Sequence, residues 1–213
     1  STSEIEFSSI PPWGSTHKIL REIDILHFKQ YASAVHRIEM STSRTLEIIN
    51  LLADEHPYHP LNDYLQGLQW DKKPRLDHWL SEICGVKDTL YHQEIGRKIL
   101  CAAAARVRRP GLKFDYMMIL EGDQGIGKST LLNILAKDWY LDTHFSTNEN
   151  KKDIIDMMRT AWIIEISDLA GFRKQDVEYL KSFISRQVDR VRMPYARCSE
   201  DFPRQCIFIG THN

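Results

Sequence analysis

One glycine-rich run constrains the fold of this chain more than any other feature. Residues 122–129 read G-D-Q-G-I-G-K-S and match the pattern G-x-x-x-x-G-K-[ST], with an apolar run at 117–120 before them and a helical pattern at 129–136 after them. Glycines at these positions let backbone N–H groups converge on a phosphate, and the positive end of the following helix points at the same place. The run therefore predicts a strand, a phosphate-binding loop and a helix within an α/β fold.

The side chains of this loop predict that its ligands are ATP and Mg²⁺. Lys128 adds positive charge for the phosphates, and Ser129 offers a hydroxyl to Mg²⁺. We expect the nucleotide contacts to come from one continuous segment: Gly122, Asp123, Gln124, Gly125, Ile126, Gly127, Lys128, Ser129 and Thr130.

Two further apolar runs end in polar residues suited to hydrolysis. The run at 161–166 contains Glu165 and is followed by Asp168, so these acids are candidates to hold Mg²⁺ through its waters and to orient an attacking water. The run at 206–209 leads to Asn213, whose amide is a candidate to bind the γ-phosphate or that water. We predict Lys128, Glu165, Asp168 and Asn213 as catalytic, with Ser129 and Glu165 serving the metal.

The periodicity of apolar residues changes near residue 110. Before it, apolar residues recur at helical spacing; after it, short apolar runs at 117–120, 162–166 and 206–209 alternate with helical stretches at 129–136, 152–158 and 175–185. This pattern predicts a mainly helical domain over 1–110 and an ATPase core with a mostly parallel sheet over 111–213.

The composition of the chain narrows its class. Its 42% apolar and 27% charged residues are typical of a globular protein, and the net charge of −1 excludes a uniformly basic nucleic-acid coat. The apolar runs are too short to span a bilayer and no secretory signal begins the chain, so we expect a cytoplasmic protein without a membrane partner. Four widely spaced cysteines argue against a zinc site or a disulfide framework. Trp13, Trp70, Trp79 and Trp139 are expected to pack within domains.

A basic segment lies between the acids and the last apolar run. Val188, Arg190 and Arg192 alternate with other residues and are followed by Pro194 and Tyr195, which predicts a protruding β-hairpin. The order of phosphate-binding loop, acidic strand, basic hairpin and F-P-R-x-C-x-F-I-G-T-x-N resembles the virulence-associated protein E family, relatives of superfamily 3 helicases. The resemblance extends upstream through 70–76, 96–98 and 113–116 and covers about 60–213.

The resemblance implies a P-loop NTPase core of the AAA+ and superfamily 3 type, in which Asn213 would be the residue called sensor one. The activity it implies is that of an ATP-dependent DNA helicase or translocase, acting as a homo-oligomeric ring in a phage, plasmid or pathogenicity-island replication module. In such proteins the hairpin grips DNA in the ring channel. Lys181, Arg190 and Arg192 would then lie near phosphates of single-stranded DNA, and Tyr195 would stack on a base.

The chain departs from the family pattern at three positions. Lys72 replaces a usual Gly, Asp168 a usual Glu, and His212 a usual Thr. The family also carries a G-N-R-R-F-W-like segment beyond the T-x-N motif, so we expect this chain to be a fragment that hydrolyses ATP poorly without a neighbour's arginine. The candidate donors of that arginine are Arg186, Arg204 and the cluster Arg106, Arg108 and Arg109.

Three alternatives stay open at this point. The chain could be a nucleotide-gated assembly or regulatory module with little turnover, or a small-molecule kinase of the same loop type. The basic hairpin could instead be a solvated structural feature whose arginines pair with Asp189 and Glu200.

Overall fold

Two compact units make up the chain, one over 1–59 and one over 60–213. The computed structural model describes residues 5–143, 151–167, 169–192 and 199–212. This division differs from the one predicted at residue 110, because the long helix before residue 110 packs on the sheet. Ile99, Ala102 and Ala103 of that helix share a hydrophobic cluster with Ile163 and Ile207 of two strands.

The first unit contains the helices α1 (Glu22–His36) and α2 (Thr42–Glu55), in agreement with the helical spacing of apolar residues before residue 110. The hydroxyl of Ser41 accepts the Arg44 N–H and so caps α2. Asp24 is fully buried. Burial alone would raise the pKa of its carboxyl, but hydrogen bonds from Arg21 and the Trp13 indole outweigh burial and lower that pKa.

The second unit contains the remaining elements. In chain order they are α3 (Pro60–Gly67), α4 (Trp79–Cys84), α5 (Leu90–Arg108), β1 (Met118–Glu121), α6 (Lys128–Ala136), β2 (Tyr140–Thr143), α7 (Lys151–Thr160), β3 (Ile163–Ile166), α8 (Lys174–Ile184), β4 (Val188–Val191), β5 (Glu200–Pro203) and β6 (Ile207–His212). Short 3-10 turns follow α6 and β3.

Four parallel strands form the main sheet in the order β1-β6-β3-β2. The mixed α/β fold with a parallel sheet is therefore confirmed, and β1, β3 and β6 lie at the three predicted apolar runs. Strand β2 was missed, because its apolar signal is only the pair Tyr140 and Leu141. Parallel strands end at one edge, so the polar residues after β1, β3 and β6 meet there.

The two faces of this sheet pack on different helices. Ile164, Ile166 and Phe208 belong to one hydrophobic cluster, which includes residues of α7 and α8. Ile163 and Ile207 belong to the other, which includes residues of α5 and α6. Because side chains alternate along a strand, Glu165 lies on the same face as Ile163, toward α6. None of the described helices is both apolar enough and long enough to cross a membrane.

Two candidate arginines of the hydrolysis site lie in the core. Arg204 is buried between the Phe183 and Phe208 rings and makes a two-pronged ion pair with Asp189. Arg106 is buried and donates to the Cys206 carbonyl at 2.8 Å. The prediction that either arginine reaches a neighbouring subunit's nucleotide is wrong, because both guanidinium groups are enclosed by their own fold.

A turn over residues 70–75 corrects the expectation that Trp70 packs within a domain. The Trp70 side chain is 73% exposed, and its indole N–H donates to the Lys73 carbonyl. The carboxylate of Asp71 accepts hydrogen bonds from both terminal nitrogens of Arg75, at 2.8 and 2.7 Å, and a further one from the Lys73 N–H. Lys72 has a left-handed backbone with φ +66°. Local polar contacts rather than core packing hold this turn.

Candidate nucleotide-binding site

The glycine-rich run forms the loop between β1 and α6. Gly125 and Gly127 have φ of +85° and +97°, in the left-handed region that side chains other than glycine rarely adopt. Gly127 is also the N-cap of α6, which begins at Lys128. The loop therefore brings the exposed N–H groups of a helix start to the edge of the sheet.

Lys128 folds back over this loop. Its ammonium donates to the Gly122 carbonyl at 2.6 Å and to the Asp123 carbonyl at 3.0 Å. The positive charge is thereby held within the loop, where an anion bound by the loop would meet it.

Glu165 is the centre of the site. The residue is 1% exposed, and three hydroxyl groups donate to its carboxylate. Ser129 Oγ reaches Oε1 at 2.8 Å, Thr211 Oγ1 reaches the same oxygen at 2.7 Å, and the Tyr140 hydroxyl reaches Oε2. The loop hydroxyl and this acid, both predicted to serve one metal, are in direct contact.

Tyr140 contributes its phenol from β2. Burial, together with the hydrogen bond to Glu165, raises the pKa of Tyr140 well above its usual value. The phenol therefore keeps its proton and remains a donor to Glu165 across the physiological pH range.

A cleft of about 390 Å³ opens above these groups. It is lined by Gln124, Gly125, Gly127, Lys128, Ser129, Thr130, Asp142, Glu165, Ser167 and Thr211. Six predicted nucleotide contacts and the predicted acid thus line one cleft. Asp142, Ser167 and Thr211, like Tyr140, were missed by the sequence analysis. Thr211 could have been found from its place in G-T-x-N, whereas β2 offers no comparable motif.

The donor set suits Mg²⁺ held partly through water. A serine hydroxyl and one carboxylate are hard oxygen ligands, and Mg²⁺ keeps several waters when it binds beside phosphates. Within the described ranges, no group of three or more His, Cys, Asp or Glu residues could by itself hold a metal ion.

Comparison with known families decides what kind of domain carries this cleft. The family model of the virulence-associated protein E-like domain matches residues 65–213, which include the loop, the acidic strand and the hairpin. The chain belongs to this family. The match begins near the start of the second compact unit of this VapE-like domain protein.

Solved structures similar to this VapE-like chain include apo forms of the NrS-1 C-terminal region. One is 16% identical over 55% of this chain and 28% of that chain, with a TM-score of 0.38. Another is 14% identical over 57% of this chain and 30% of that chain, with a TM-score of 0.41. The matched part is less than a third of these solved chains. No curated protein matches the sequence.

The predicted hairpin is present as the antiparallel pair β4 and β5. Asp189 and Val191 are buried, whereas Val188, Arg190 and Arg192 are exposed, so Arg190 on β4 and Arg192 directly after it face outward. Arg190 lies 3.6 Å from Asp201 across the pair. Asp189, one of the two partners expected for a solvated hairpin, pairs instead with the buried Arg204.

The other predicted residues lie elsewhere. Lys181 is exposed on α8, where it pairs with Glu178 at 3.0 Å, and is not part of the hairpin. Tyr195, Asp168 and Asn213 lie outside the described residues, so their roles stay predictions. Asp168 follows the cleft residue Ser167 in sequence.

Proposed function

We propose that this VapE-like domain binds MgATP in the cleft and hydrolyses it. The observation that carries the proposal is the 2.8 Å contact between Ser129 Oγ and Glu165 Oε1. It joins a loop suited to phosphate, which follows β1, with the acid of β3, 36 residues away in sequence. Hydrolysis of a nucleoside triphosphate needs these two groups, a hydroxyl ligand and a carboxylate, at one metal.

The loop, Lys128, Ser129 and Glu165 have defined parts in this proposal. The loop N–H groups and Lys128 bind the phosphates, and Thr130 lines the same cleft at the first turn of α6. Ser129 and Glu165 would hold Mg²⁺, which, when bound, neutralises charge on the phosphate oxygens. Asp168 and Asn213 are the proposed partners of the attacking water.

We further propose that hydrolysis drives movement on DNA. The support is membership of the VapE-like family together with the exposed Arg190 and Arg192 at the end of β4. Arg190 and Arg192 would contact phosphates of single-stranded DNA, with Lys181 and Tyr195 as further contacts. The proposed setting is a homo-oligomeric ring, acting as a helicase or translocase in a phage, plasmid or pathogenicity-island replication protein.

A nucleotide-gated module with little turnover is the second candidate. The observation that favours it is the burial of Arg106 and Arg204, which removes two candidate donors of the arginine that completes such sites. Arg108, Arg109 and Arg186 stay as candidate donors.

Steady-state ATPase measurements, with and without single-stranded DNA, distinguish these functions. Stimulation by DNA supports the translocase, nucleotide binding without turnover supports the gated module, and transfer of phosphate to a small molecule supports a kinase.

Two variants serve as controls in these measurements. Lys128→Ala is expected to remove most nucleotide binding, because it deletes the phosphate charge from a side chain outside both hydrophobic clusters. Glu165→Gln is expected to bind nucleotide and turn it over more slowly, because the amide keeps the shape and loses the charge. Unchanged nucleotide affinity in Lys128→Ala would overturn the assignment of the cleft.

A further inference from the structure

The carboxylate of Glu165 receives more hydroxyl donors than metal binding by Ser129 and Glu165 requires. Ser129 is the donor that the proposed function assigns to Mg²⁺. Thr211 and Tyr140 have no such assignment, yet each donates to a different oxygen of the same carboxylate. An ionised carboxylate only accepts hydrogen bonds, so the hydroxyls of Tyr140 and Thr211 both donate their protons to Glu165 and orient its carboxylate.

The register of the sheet accounts for this convergence. Glu165 of β3 is opposite Asp142 of β2 and opposite Ile209 of β6. Tyr140 precedes Asp142 by two residues and Thr211 follows Ile209 by two, so both lie on the face that carries Glu165. The two hydroxyls therefore approach Glu165 from neighbouring strands on opposite sides and from opposite directions along the sheet.

We propose that Tyr140 and Thr211 are positioning residues of the nucleotide site, which hold the two oxygens of Glu165 in the orientation that faces Ser129. The inference rests on the proposed function and deepens it, because it names groups outside the glycine-rich loop on which metal-dependent binding depends. Neither residue needs to touch the nucleotide. Their action is through Glu165.

The site's burial makes this orientation effective. Thr211 and Glu165 are buried and Tyr140 packs at the edge of the cluster that contains Leu132 and Ala136 of α6. Hydrogen bonds to a charged group are stronger where water is excluded, so the carboxylate is fixed on both oxygens rather than solvated on one. Ser129 can then exchange Glu165 for another partner without releasing the carboxylate.

The test measures binding of a fluorescent ATP analogue to the 213-residue chain, first in EDTA and then at increasing Mg²⁺. Tyr140→Phe and Thr211→Val each remove one hydroxyl and keep the side-chain shape, and Thr211→Ser keeps the hydroxyl. We expect the metal-free affinity of all three variants to stay within about twofold of the parent chain. The gain in affinity from Mg²⁺ should fall about tenfold in Tyr140→Phe and Thr211→Val, the effect of one lost hydrogen bond to a charged group.

Control variants separate positioning from folding. Thr211→Ser should restore the Mg²⁺ gain, and Tyr116→Phe, which alters an exposed phenol, should leave it unchanged. An equal loss of metal-free and Mg²⁺-dependent affinity in both Tyr140→Phe and Thr211→Val would overturn the inference, because a purely structural role predicts that result.

The remaining outcomes distinguish this inference from the proposed function. An unchanged Mg²⁺ gain in both hydroxyl-free variants overturns the positioning role and leaves nucleotide binding in place. Binding by the parent chain without any Mg²⁺ gain overturns the roles of Glu165, Tyr140 and Thr211 together. No binding by the parent chain overturns the proposed function and this inference alike.

Discussion

At residue 72 a lysine holds a backbone conformation that glycine adopts at lower cost. Its φ of +66° brings Cβ close to the neighbouring carbonyl. We predict that Lys72→Gly raises the free energy of unfolding by about 0.5–1 kcal/mol. Urea unfolding measures this change. Lys73→Gly, at a residue without positive φ, is the matched control and should lower stability; a loss of stability in Lys72→Gly would contradict the prediction.

The neighbouring carboxylate of Asp71 provides a titration test of the same turn. Hydrogen bonds from the Arg75 side chain and the Lys73 N–H lower the pKa of Asp71 to about 2 from 3.8. The pKa of Asp71 is lower in the folded chain than its ordinary value. The Asp71–Arg75 pair therefore stabilises the fold at pH values above 3.8, and this stabilisation is lost as the pH falls to about 2.

We therefore predict that Arg75→Gln moves the Asp71 titration midpoint up toward 3.8, as followed by NMR of the side-chain carboxyl. Arg44→Gln, which breaks an exposed pair with Glu47, is the control and should leave Asp71 unchanged. A midpoint near the ordinary value in the parent chain would show that the two-pronged Arg75 contact does not persist in solution.

Among the elements, the hairpin of β4 and β5 joins the site through one strand. β5 ends at Pro203 and β6 begins at Ile207. The other end of β6 carries Thr211, which lines the cleft. The guanidinium of Arg159 on α7 lies 4.1 Å from the Phe202 ring centre, which supports β5 from a helix of the sheet. The hairpin is thus a supported extension of the strand that reaches Glu165.

The hairpin prediction concerns salt dependence of DNA binding. Arg190→Ala is expected to weaken binding of single-stranded DNA regardless of base sequence and to reduce the slope of log affinity against log salt by about 0.7. Asp201→Asn removes the carboxylate 3.6 Å from Arg190 and should strengthen binding. Arg44→Ala, on the other compact unit, is the charge-matched control. Equal slopes for Arg190→Ala and the parent chain would leave the hairpin a solvated structural feature.

At the scale of the whole molecule, buried polar contacts tie the hairpin to the core. Arg204 joins Asp189 of β4 to the Phe183 carbonyl at the end of α8, and its own carbonyl accepts the Gly111 N–H. Arg106 of α5 donates to Cys206 at the start of β6. Helices and hairpin are thus joined through the segment that leads into the central strand.

Replacing one partner of the buried Arg204–Asp189 pair is expected to lower the free energy of unfolding far more than replacing both partners. Arg204→Met should lower the free energy of unfolding by about 3–5 kcal/mol, because Asp189 is left as a buried unpaired charge. Arg204→Met combined with Asp189→Leu should recover most of that loss, and Arg186→Met is the half-buried control. Urea unfolding decides the order; a double variant less stable than Arg204→Met would contradict it.

The second compact unit is expected to act without the first. Both hydrophobic clusters and all described cleft residues lie within 60–213. We predict that a chain of residues 60–213 folds and binds the ATP analogue within about twofold of the 213-residue chain. A chain of residues 111–213 should fail to fold, because it lacks α5 and its contribution to the sheet's cluster. Circular dichroism and analogue titration test both, and a folded 111–213 chain would restore the division at residue 110.

Local sequence determined the parts of this protein whose conformation depends on nearby residues. The glycines of 122–127 allow the left-handed backbone found at Gly125 and Gly127, and short apolar runs mark β1, β3 and β6. Helical spacing likewise located α6, α7 and α8. Loop, acid and basic hairpin were all predictable because each is a short pattern with its own conformational preference.

Only the tertiary structure decided which distant groups meet. Tyr140 is part of the site because β2 pairs with β3 at the edge of the sheet. A four-residue strand with two apolar residues has too weak a pattern to predict that pairing. Arg204 became a core residue because Asp189, 15 positions earlier, faces inward on β4. The burial of a side chain and its hydrogen-bond or ion-pair partners depend on strand register and on packing between elements. Local sequence patterns specify neither the register nor the packing.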